Sequence, residues 1–233
     1  MRLKRALVLL TFNEIEALPK LFDKIPLSAA DEVFAVDGGS KDGTADYLRS
    51  RGVKVVGQPR RGRGCAFQVA LDSTDADVLC YYSPDGNEDP ADIPKIFEKL
   101  EAGGYDLVVA SRMCAGAHNE EDEETLKLRK WVNQAFTFLA NIIWNRGPYV
   151  TDTINGFRAV RADSLRACRC AVDGFVIEYL MSMRMMKLGM RIGEIATYES
   201  PRLGGLSTAH SWPTGLEFTE HLVREALTGR RVP

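Results

Sequence analysis

Short apolar runs that alternate with helical patterns constrain the fold of this chain more than any other feature. The runs are "ALVLLT" at 6–11, "EVFAV" at 32–36, "VKVV" at 53–56, "DVLCYY" at 77–82 and "DLVVAS" at 106–111. Helical patterns begin near Glu14, Gly43, Gly64 and Ala91. Continuous apolar runs are typical of strands that are buried on both faces. The pattern therefore predicts an α/β fold, with a mostly parallel, doubly wound sheet and helices on both faces.

The character of the chain changes after Ser111. An acidic stretch, "HNEEDEET" at 118–125, precedes an apolar helical pattern from Leu126 to Trp144, and a strand-like "RIGEIATY" follows at 191–198. With 233 residues and 45% hydrophobic composition, the chain can bury one sizeable core. We therefore expect a single domain over residues 1–233, in which 1–111 and 112–233 form two functional halves.

Charge and cysteine content bound the function. The chain has 30 basic and 32 acidic residues, which removes the electrostatic argument for nucleic acid as a main partner. Its 5 cysteines lack paired CxxC spacing, so neither a disulfide framework nor a zinc site is indicated. No apolar run approaches the roughly 20 residues that a membrane-spanning helix needs. We therefore expect a cytoplasmic, globular protein.

Polar loops follow the first, second and fourth apolar runs, and ligands of open α/β sheets bind where such loops converge. The loops read "TFNE", "VDGGSKDGT" and "SPDGNEDP". Asp37 stands beside Gly38 and Gly39, which let the backbone approach a ligand closely. A turn followed by a helix cap explains the same loop equally well. The nearby "RRGRGCA" has neither a full dinucleotide fingerprint nor a P-loop Lys-Ser/Thr, so it indicates a phosphate site only weakly.

The order of seven motifs resembles that of family 2 glycosyltransferases of the GT-A fold. The motifs are "TFNE", "VDGGSKDGT", "RGRGCAF", the acidic turn "SPDGNEDP", "ASR", "NGFRAVRAD" and "GFVIEYLMSMRMMKLGMRIGEI". From about Leu7 to Ser207 the chain resembles, more narrowly, the dolichyl-phosphate mannosyltransferase and polyprenyl-phosphate glycosyltransferase branch. The resemblance implies an inverting, metal-dependent enzyme that moves a sugar from a UDP- or GDP-linked donor to a polyprenyl phosphate. It assigns the donor to residues 1–111 and the acceptor to residues 112–233.

The acidic turn is the metal site that the resemblance implies. Relatives use a turn of this type to hold a divalent cation under the pyrophosphate of the sugar nucleotide, and the matching ligands are Asp85 and Asn87. Mg²⁺ or Mn²⁺ would stabilise the negative charge that accumulates on a diphosphate leaving group. Ser83 stands where relatives have a first aspartate, so one carboxylate is missing. Alternatively, Asp85 and Asn87 only shape a tight turn.

The resemblance also implies a nucleoside site. It places the "TFNE" residues Thr11, Phe12 and Glu14 near the nucleoside, and Asp37 near its base or ribose, with Gly38 beside it. Without the resemblance, Glu14 is equally well explained as a carboxylate in the first turn of a helix, where the helix dipole favours it. The predicted donor-binding set is Thr11, Phe12, Glu14, Asp37, Gly38 and Asp85.

Three arginines are the implied ligands of the acceptor phosphate. Arg112 and Arg129 match positions that bind this phosphate in the polyprenyl-phosphate branch, and Arg202 matches a late arginine of a pattern that ends in Ser-Lys. Here Thr208 follows Ser207, so the lysine is missing. A guanidinium suits phosphate because it is planar, permanently charged and able to bind two oxygens. Alternatively, each arginine is a solvated surface charge. The predicted catalytic set is Asp85, Arg112, Arg129 and Arg202.

The acceptor decides whether the enzyme needs a catalytic base. A phosphate monoester, with a second pKa of about 6, is already largely anionic near neutral pH and needs none. A hydroxyl acceptor would need one, and the candidate bases are Asp89, Glu88 and Asp152. A third hypothesis is a catalytically weakened, nucleotide-binding interaction protein, which Ser83, Gly38 and the missing lysine motivate.

The helical pattern from Leu126 to Trp144 can be interpreted in two ways. Packing in the core is the default for such an apolar stripe. However, its apolar residues cover more than one face, and Lys127, Arg129, Lys130 and Arg146 flank it. Basic flanks suit a helix that lies in the interface of an anionic membrane. We therefore predict peripheral contact with a membrane surface, without a spanning segment.

Overall fold

A seven-stranded sheet forms the centre of the protein in the computed structural model, which describes residues 2–204 and 211–233. The strands are β1 (Arg5–Thr11), β2 (Glu32–Asp37), β3 (Lys54–Gly57), β4 (Val78–Tyr82), β5 (Leu107–Ser111), β6 (Arg158–Arg161) and β7 (Ile192–Ala196). Their order is β3-β2-β1-β4-β6-β5-β7. Strand β6 runs antiparallel to β4 and β5, and the remaining pairs are parallel. The prediction of a mostly parallel sheet is confirmed.

Helices cover both faces of this sheet. They are α1 (Leu18–Leu21), α2 (Thr44–Ser50), α3 (Arg63–Asp72), α4 (Asp92–Gly103), α5 (Leu128–Trp144), α6 (Ala162–Cys168), α7 (Ile177–Lys187) and α8 (Ser211–Leu227). Successive side chains of a strand point to opposite faces. Leu7 and Leu9 of β1 therefore share one apolar cluster with Phe97 of α4, while Val8 shares the other with Phe67 of α3. The two clusters explain why the strands are apolar throughout.

Two elements differ from the prediction. The helix expected over 14–24 is reduced to α1 and a 3₁₀ turn at Phe22–Lys24. Pro19 lies at the start of α1, where proline is tolerated, whereas it would interrupt a helix that began at Glu14. Strand β6 was not predicted because it begins and ends with arginine. The buried Arg158 is accommodated there because its guanidinium donates to the carbonyl oxygens of Asn155 and Glu178, at 2.8 and 2.9 Å.

Candidate active site

A cavity of about 400 Å³ lies at the edge of the sheet where β1, β2 and β4 end. The loops that follow these strands are the polar loops of the sequence, and they converge because parallel strands present their carboxyl ends at one edge. Most of the predicted donor-binding residues line the cavity. They are Thr11, Phe12, Glu14, Gly38 and Asp85, and Arg202 lies among them.

An ion-paired cluster forms the charged part of this cavity. Nη2 of Arg202 lies 3.1 Å from Oε1 of Glu14 and 3.1 Å from Oδ2 of Asp85. Among the described residues, Oε2 of Glu14 and Nε of Arg202 are buried side-chain atoms without a hydrogen-bond partner. Burial and the neighbouring Asp85 raise the pKa of Glu14 to about 7, although Arg202 opposes the rise. Unused polar atoms of this kind are available to a bound ligand.

Asp37 shapes the second loop instead of lining the cavity. Its Oδ2 accepts hydrogen bonds from the backbone N–H groups of Gly39 and Ser40, at 3.0 and 2.8 Å. Its Oδ1 accepts from the hydroxyls of Ser40 and Thr11, at 2.6 and 3.1 Å. Gly38 then comes close to Phe12, because a Cβ at Gly38 would lie 3.1 Å from the Phe12 ring. Of these two predicted residues, Asp37 therefore stabilises the loop through hydrogen bonds, whereas Gly38 lines the cavity.

The "RGRG" loop at 61–64 contributes basic residues to the cavity, although its sequence indicated a phosphate site only weakly. Arg61, Gly62 and Arg63 line the cavity. Arg63 pairs with Glu178 of α7, and its Nη1 lies 3.3 Å from Oγ of Ser83. A Cβ on either glycine of this loop would overlap backbone carbonyl oxygens of residues 172–173. The glycines are therefore required by close packing against a distant segment, which no local motif could indicate.

The acidic turn is hydrogen-bonded to the segment that carries Arg202. The N–H of Ser200 donates to the carbonyl of Asn87 at 2.7 Å, and the N–H of Leu203 donates to the carbonyl of Asp85 at 2.9 Å. Within the turn, the N–H of Asn87 donates to Oδ1 of Asp85 at 3.0 Å. The side-chain Nδ2 of Asn87 donates to the carbonyl of Ser200 at 2.5 Å, which leaves Oδ1 of Asn87 as the acceptor atom.

The donor set at this turn fits a hard divalent cation that takes most of its ligands from a nucleotide. Across residues 2–204 and 211–233, no three His, Cys, Asp or Glu side chains form a ready-made metal cluster. Asp85 and the amide oxygen of Asn87 offer oxygen ligands, and Mg²⁺ commonly uses one or two carboxylates plus phosphate and water. The nitrogen of Arg202 between Glu14 and Asp85 indicates that a positive charge is favoured at this point.

The predicted acceptor arginines differ in their surroundings. Arg112 is buried, and its Nε and Nη1 lie 2.8 Å from Asp152 and 3.1 Å from Glu199. Burial of Asp152 opposes its ionisation, but the Arg112 guanidinium holds the pKa of that carboxyl below its usual range. The side chain of Arg129 is 47% exposed and pairs with Glu120 and Glu121 of the acidic stretch. Arg129 is therefore the more accessible of these two guanidinium groups.

Arg202 lies in the cavity with Glu14 and Asp85, so the structure pairs this predicted acceptor arginine with residues that were predicted to bind the donor. The missing lysine, at Thr208, and the preceding Ser207 lie outside the described residues. The sequence also missed Glu120 and Glu199, which bind the two other arginines. The acidic stretch at 118–125 is a sequence signal for Glu120, whereas Glu199 lies outside it and belongs to no motif.

The candidate bases also separate. Asp152 is engaged by Arg112, and Oδ1 of Asp89 accepts the N–H of Ala91 at 2.9 Å. Glu88 is buried within the acidic turn, and burial together with Asp85 raises its pKa to about 8, while Arg63 and Arg112 oppose the rise. Glu88 is therefore the carboxyl of this group whose pKa is closest to that of a general base working near neutral pH.

Helix α5 exposes an apolar face, which we call the α5 face. Its members, each at least 39% exposed, are Trp131, Val132, Phe138, Leu139, Ile142 and Ile143. Trp144, by contrast, belongs to the core, where it is 1% exposed and donates from Nε1 to the carbonyl of Gly229 at 3.2 Å. Acidic side chains pair with much of the basic flank, because Lys127 and Lys130 both contact Asp122 and Arg129 contacts Glu120 and Glu121. Within the described ranges, no helix has both the length and the hydropathy to cross a bilayer.

The sheet order and the charged cavity at its carboxyl edge define a glycosyltransferase fold of the GT-A type. The sequence profile of Glycosyl transferase family 2 matches residues 6–168, so the chain belongs to this family, as its motifs predicted. The crystal structure of glucosyl-3-phosphoglycerate synthase from Mycobacterium tuberculosis, in complex with Mn²⁺ and UDP-glucose, superposes with a TM-score of 0.70. The two chains are 20% identical, and the match covers 99% of this chain and 80% of the synthase, which confirms the fold.

Curated relatives have higher identity. The undecaprenyl-phosphate mannosyltransferase of Micrococcus luteus is 31% identical over 211 residues, 83% of each chain. The dolichyl-phosphate hexose transferase of Haloferax volcanii is 32% identical over 163 residues, 69% of this chain and 67% of the relative. The glycosyltransferase AglJ of Haloferax volcanii is 29% identical over 202 residues, 85% of this chain. The chain spans 63% of the length of AglJ.

Proposed function

We propose that the protein transfers a sugar, with inversion, from a UDP- or GDP-linked donor to a polyprenyl phosphate at a membrane surface. The observation that carries this proposal is the position of Arg129 in the first turn of α5, the helix with the exposed apolar α5 face. A phosphate-binding cation beside an apolar surface suits an acceptor with an anionic head and a hydrocarbon chain. The names of the Micrococcus and Haloferax relatives support the same acceptor class.

In this proposal the cavity holds the donor. Asp85 and Asn87 would hold Mg²⁺ or Mn²⁺, which when bound supplies positive charge to the diphosphate leaving group. Arg61 and Arg63 line the same cavity and add positive charge to its lining. Arg202 pairs with the carboxylates of Glu14 and Asp85, and its Nε, which has no hydrogen-bond partner among the described residues, would be available to a phosphate oxygen.

The acceptor half would then act by positioning. Arg129 would bind the acceptor phosphate. The buried Arg112 would act indirectly, because it pairs with Asp152 and Glu199 and holds these two carboxylates in place. The acceptor oxygen is already anionic, so no base has to remove a proton. Rate enhancement would come from holding two anionic groups in line against their mutual repulsion. Residues 1–111 and 112–233 serve in this scheme as donor and acceptor halves of one domain, with Arg202 reaching back into the donor half.

The α5 face would lie in the membrane interface as the peripheral contact of a cytoplasmic enzyme. Its aromatic and aliphatic side chains are of the kind that insert among lipid head groups and the first acyl carbons. Since acidic side chains pair with Lys127, Arg129 and Lys130, apolar insertion should contribute more than attraction to anionic lipid.

A second candidate is transfer to a hydroxyl group, with Glu88 as general base. The observation that favours this candidate is the burial of the Glu88 carboxyl within the acidic turn, where its pKa is raised to about 8. Such a base would be required for a hydroxyl acceptor and idle for a phosphate.

A donor-hydrolysis and transfer panel tests both candidates. It compares UDP-, GDP- and dTDP-sugars with Mn²⁺, Mg²⁺ or EDTA, in the presence of farnesyl phosphate, farnesol or no acceptor. Transfer to farnesyl phosphate that survives Glu88→Gln supports the proposal. Transfer only to a hydroxyl acceptor, with loss of kcat in Glu88→Gln, would support the second candidate instead. Full activity in EDTA would refute the metal.

A further inference from the structure

Glu120 contacts both the acidic turn at 83–90 and Arg129, the arginine proposed to bind the acceptor phosphate. Its carboxylate pairs with Arg129, and its Oε2 lies 3.4 Å from the side-chain nitrogen of Asn87. Asn87 belongs to the acidic turn, where it is a proposed ligand of the metal ion. A carboxylate of the protein itself therefore contacts the guanidinium that the acceptor phosphate would bind.

The backbone around Glu120 is firmly anchored. The N–H of Glu120 and the side-chain nitrogen of Asn119 both donate to Oε2 of Glu199, at 3.2 and 2.6 Å. Glu199 is buried and also binds Arg112 at 3.1 Å. The segment is thus attached to the core through a buried carboxylate, so a movement of the Glu120 side chain does not require the segment to unfold.

The two carboxylates that bind Arg129 are not equivalent. Oε2 of Glu121 accepts the backbone N–H of Lys130 at 2.9 Å, which ties Glu121 to the first turn of α5. The side chain of Glu121 is 12% exposed, whereas that of Glu120 is 26% exposed. Among the contacts of the described residues, Glu120 has only the ion pair and the long contact to Asn87 for its carboxylate. Partly exposed ion pairs contribute little stability, so Glu120 is the carboxylate that can be displaced.

We propose that Glu120 is an internal competitor of the acceptor phosphate, which occupies Arg129 until the phosphate displaces it. The inference rests on the proposed function, because it needs a phosphorylated acceptor. A phosphate monoester carries a charge of about −1.5 to −2 near pH 7 and three acceptor oxygens, so it competes well with one carboxylate for a guanidinium. An uncharged alcohol has no such advantage and leaves the ion pair in place. The contact thereby weakens the binding of a phosphorylated lipid and leaves that of an uncharged alcohol unchanged.

Titration calorimetry with farnesyl phosphate, in the absence of nucleotide, measures the competition directly. Glu120→Ala and Glu120→Gln should bind farnesyl phosphate about two- to fivefold more tightly than the wild type, which is the range expected for loss of a partly exposed ion pair. Glu123→Ala removes an exposed charge from the same segment and should leave the affinity unchanged. Farnesol should bind the wild type and all variants alike. In transfer assays Glu120→Gln should lower KM for farnesyl phosphate at unchanged kcat.

A double variant shows whether the effect passes through Arg129. In an Arg129→Ala background, Glu120→Ala should no longer tighten binding. Tightening that persists there, or that Glu123→Ala reproduces, would overturn the inference in favour of a general charge effect. Unchanged or weaker binding in Glu120→Ala, with an unaltered Tm, would also overturn it, and so would loss of kcat in Glu120→Gln. If the wild type binds UDP or GDP but not farnesyl phosphate, the proposed acceptor fails, and this inference with it.

Discussion

Replacement of Glu14 by glutamine should stabilise the protein, and increasingly so as the pH rises. The side chain of Glu14 is 9% exposed, and burial with the nearby Asp85 raises its pKa from 4.5 to about 7. Between these two values the folded protein keeps a proton that the unfolded chain has released. The cost of the buried carboxylate therefore grows from pH 4.5 to pH 7 and is complete above pH 7.

The magnitude follows from the same two pKa values. By linkage, ionisation of Glu14 costs the fold about 1 kcal/mol at pH 5 and about 3 kcal/mol at pH 8. Glutamine keeps the shape of the protonated side chain and carries no charge, and Arg202 keeps Asp85 as its partner in the variant. We expect Glu14→Gln to raise the free energy of unfolding by these amounts.

Urea unfolding of the wild type and Glu14→Gln at pH 5 and pH 8 measures the difference, in which the titration of groups that do not interact with Glu14 cancels. Glu123→Gln is the matched control, because this carboxylate is exposed, and its effect should be the same at both pH values. A benefit of Glu14→Gln that is equal at the two pH values, or larger at pH 5, would refute the reasoning. A destabilised variant at pH 8 would show that the ion pair with Arg202 outweighs burial.

Further changes separate the roles of the other site residues. Asp85→Ala should abolish transfer and the Mn²⁺-dependent part of nucleotide binding, as measured by calorimetry with and without EDTA; unaltered binding would remove the metal site. Arg129→Ala should lose a charge-assisted contact of about 1.5 to 3 kcal/mol and raise KM for farnesyl phosphate roughly 10-fold to over 100-fold, with donor affinity retained. Arg112→Ala should instead lower the free energy of unfolding by about 3–5 kcal/mol, because two buried carboxylates lose their partner. Phe138→Ser combined with Ile142→Ser should reduce liposome flotation at low and high salt alike; flotation that disappears in salt would restore the electrostatic explanation.

The order of local patterns in the sequence was enough to determine the fold and to bring most of the predicted donor-binding residues to one edge of the sheet. Apolar runs separated by helical patterns predict parallel strands, and the loops after such strands necessarily meet at one edge of the sheet. Thr11, Glu14, Gly38 and Asp85 therefore share a cavity, as predicted. Strand β6 shows the limit of this reasoning, because a strand that begins with arginine does not look buried. Arg158 can be buried there only because its guanidinium donates to the carbonyl oxygens of Asn155 and Glu178.

Tertiary structure alone decided which charges meet. Arg202 reaches Glu14 across 188 residues, so a residue predicted for the acceptor lies in the donor cavity. Arg112 is saturated by carboxylates 40 and 87 residues away, whereas Arg129, with the same chemistry, remains half exposed. The two tryptophans of α5 differ in burial for the same reason. Helices α7 and α8 cover one face of α5, so Trp144 is buried and Trp131 is exposed. Local sequence encodes periodicity and the ends of strands, but ion pairing and burial depend on distances that only the complete path of the chain determines.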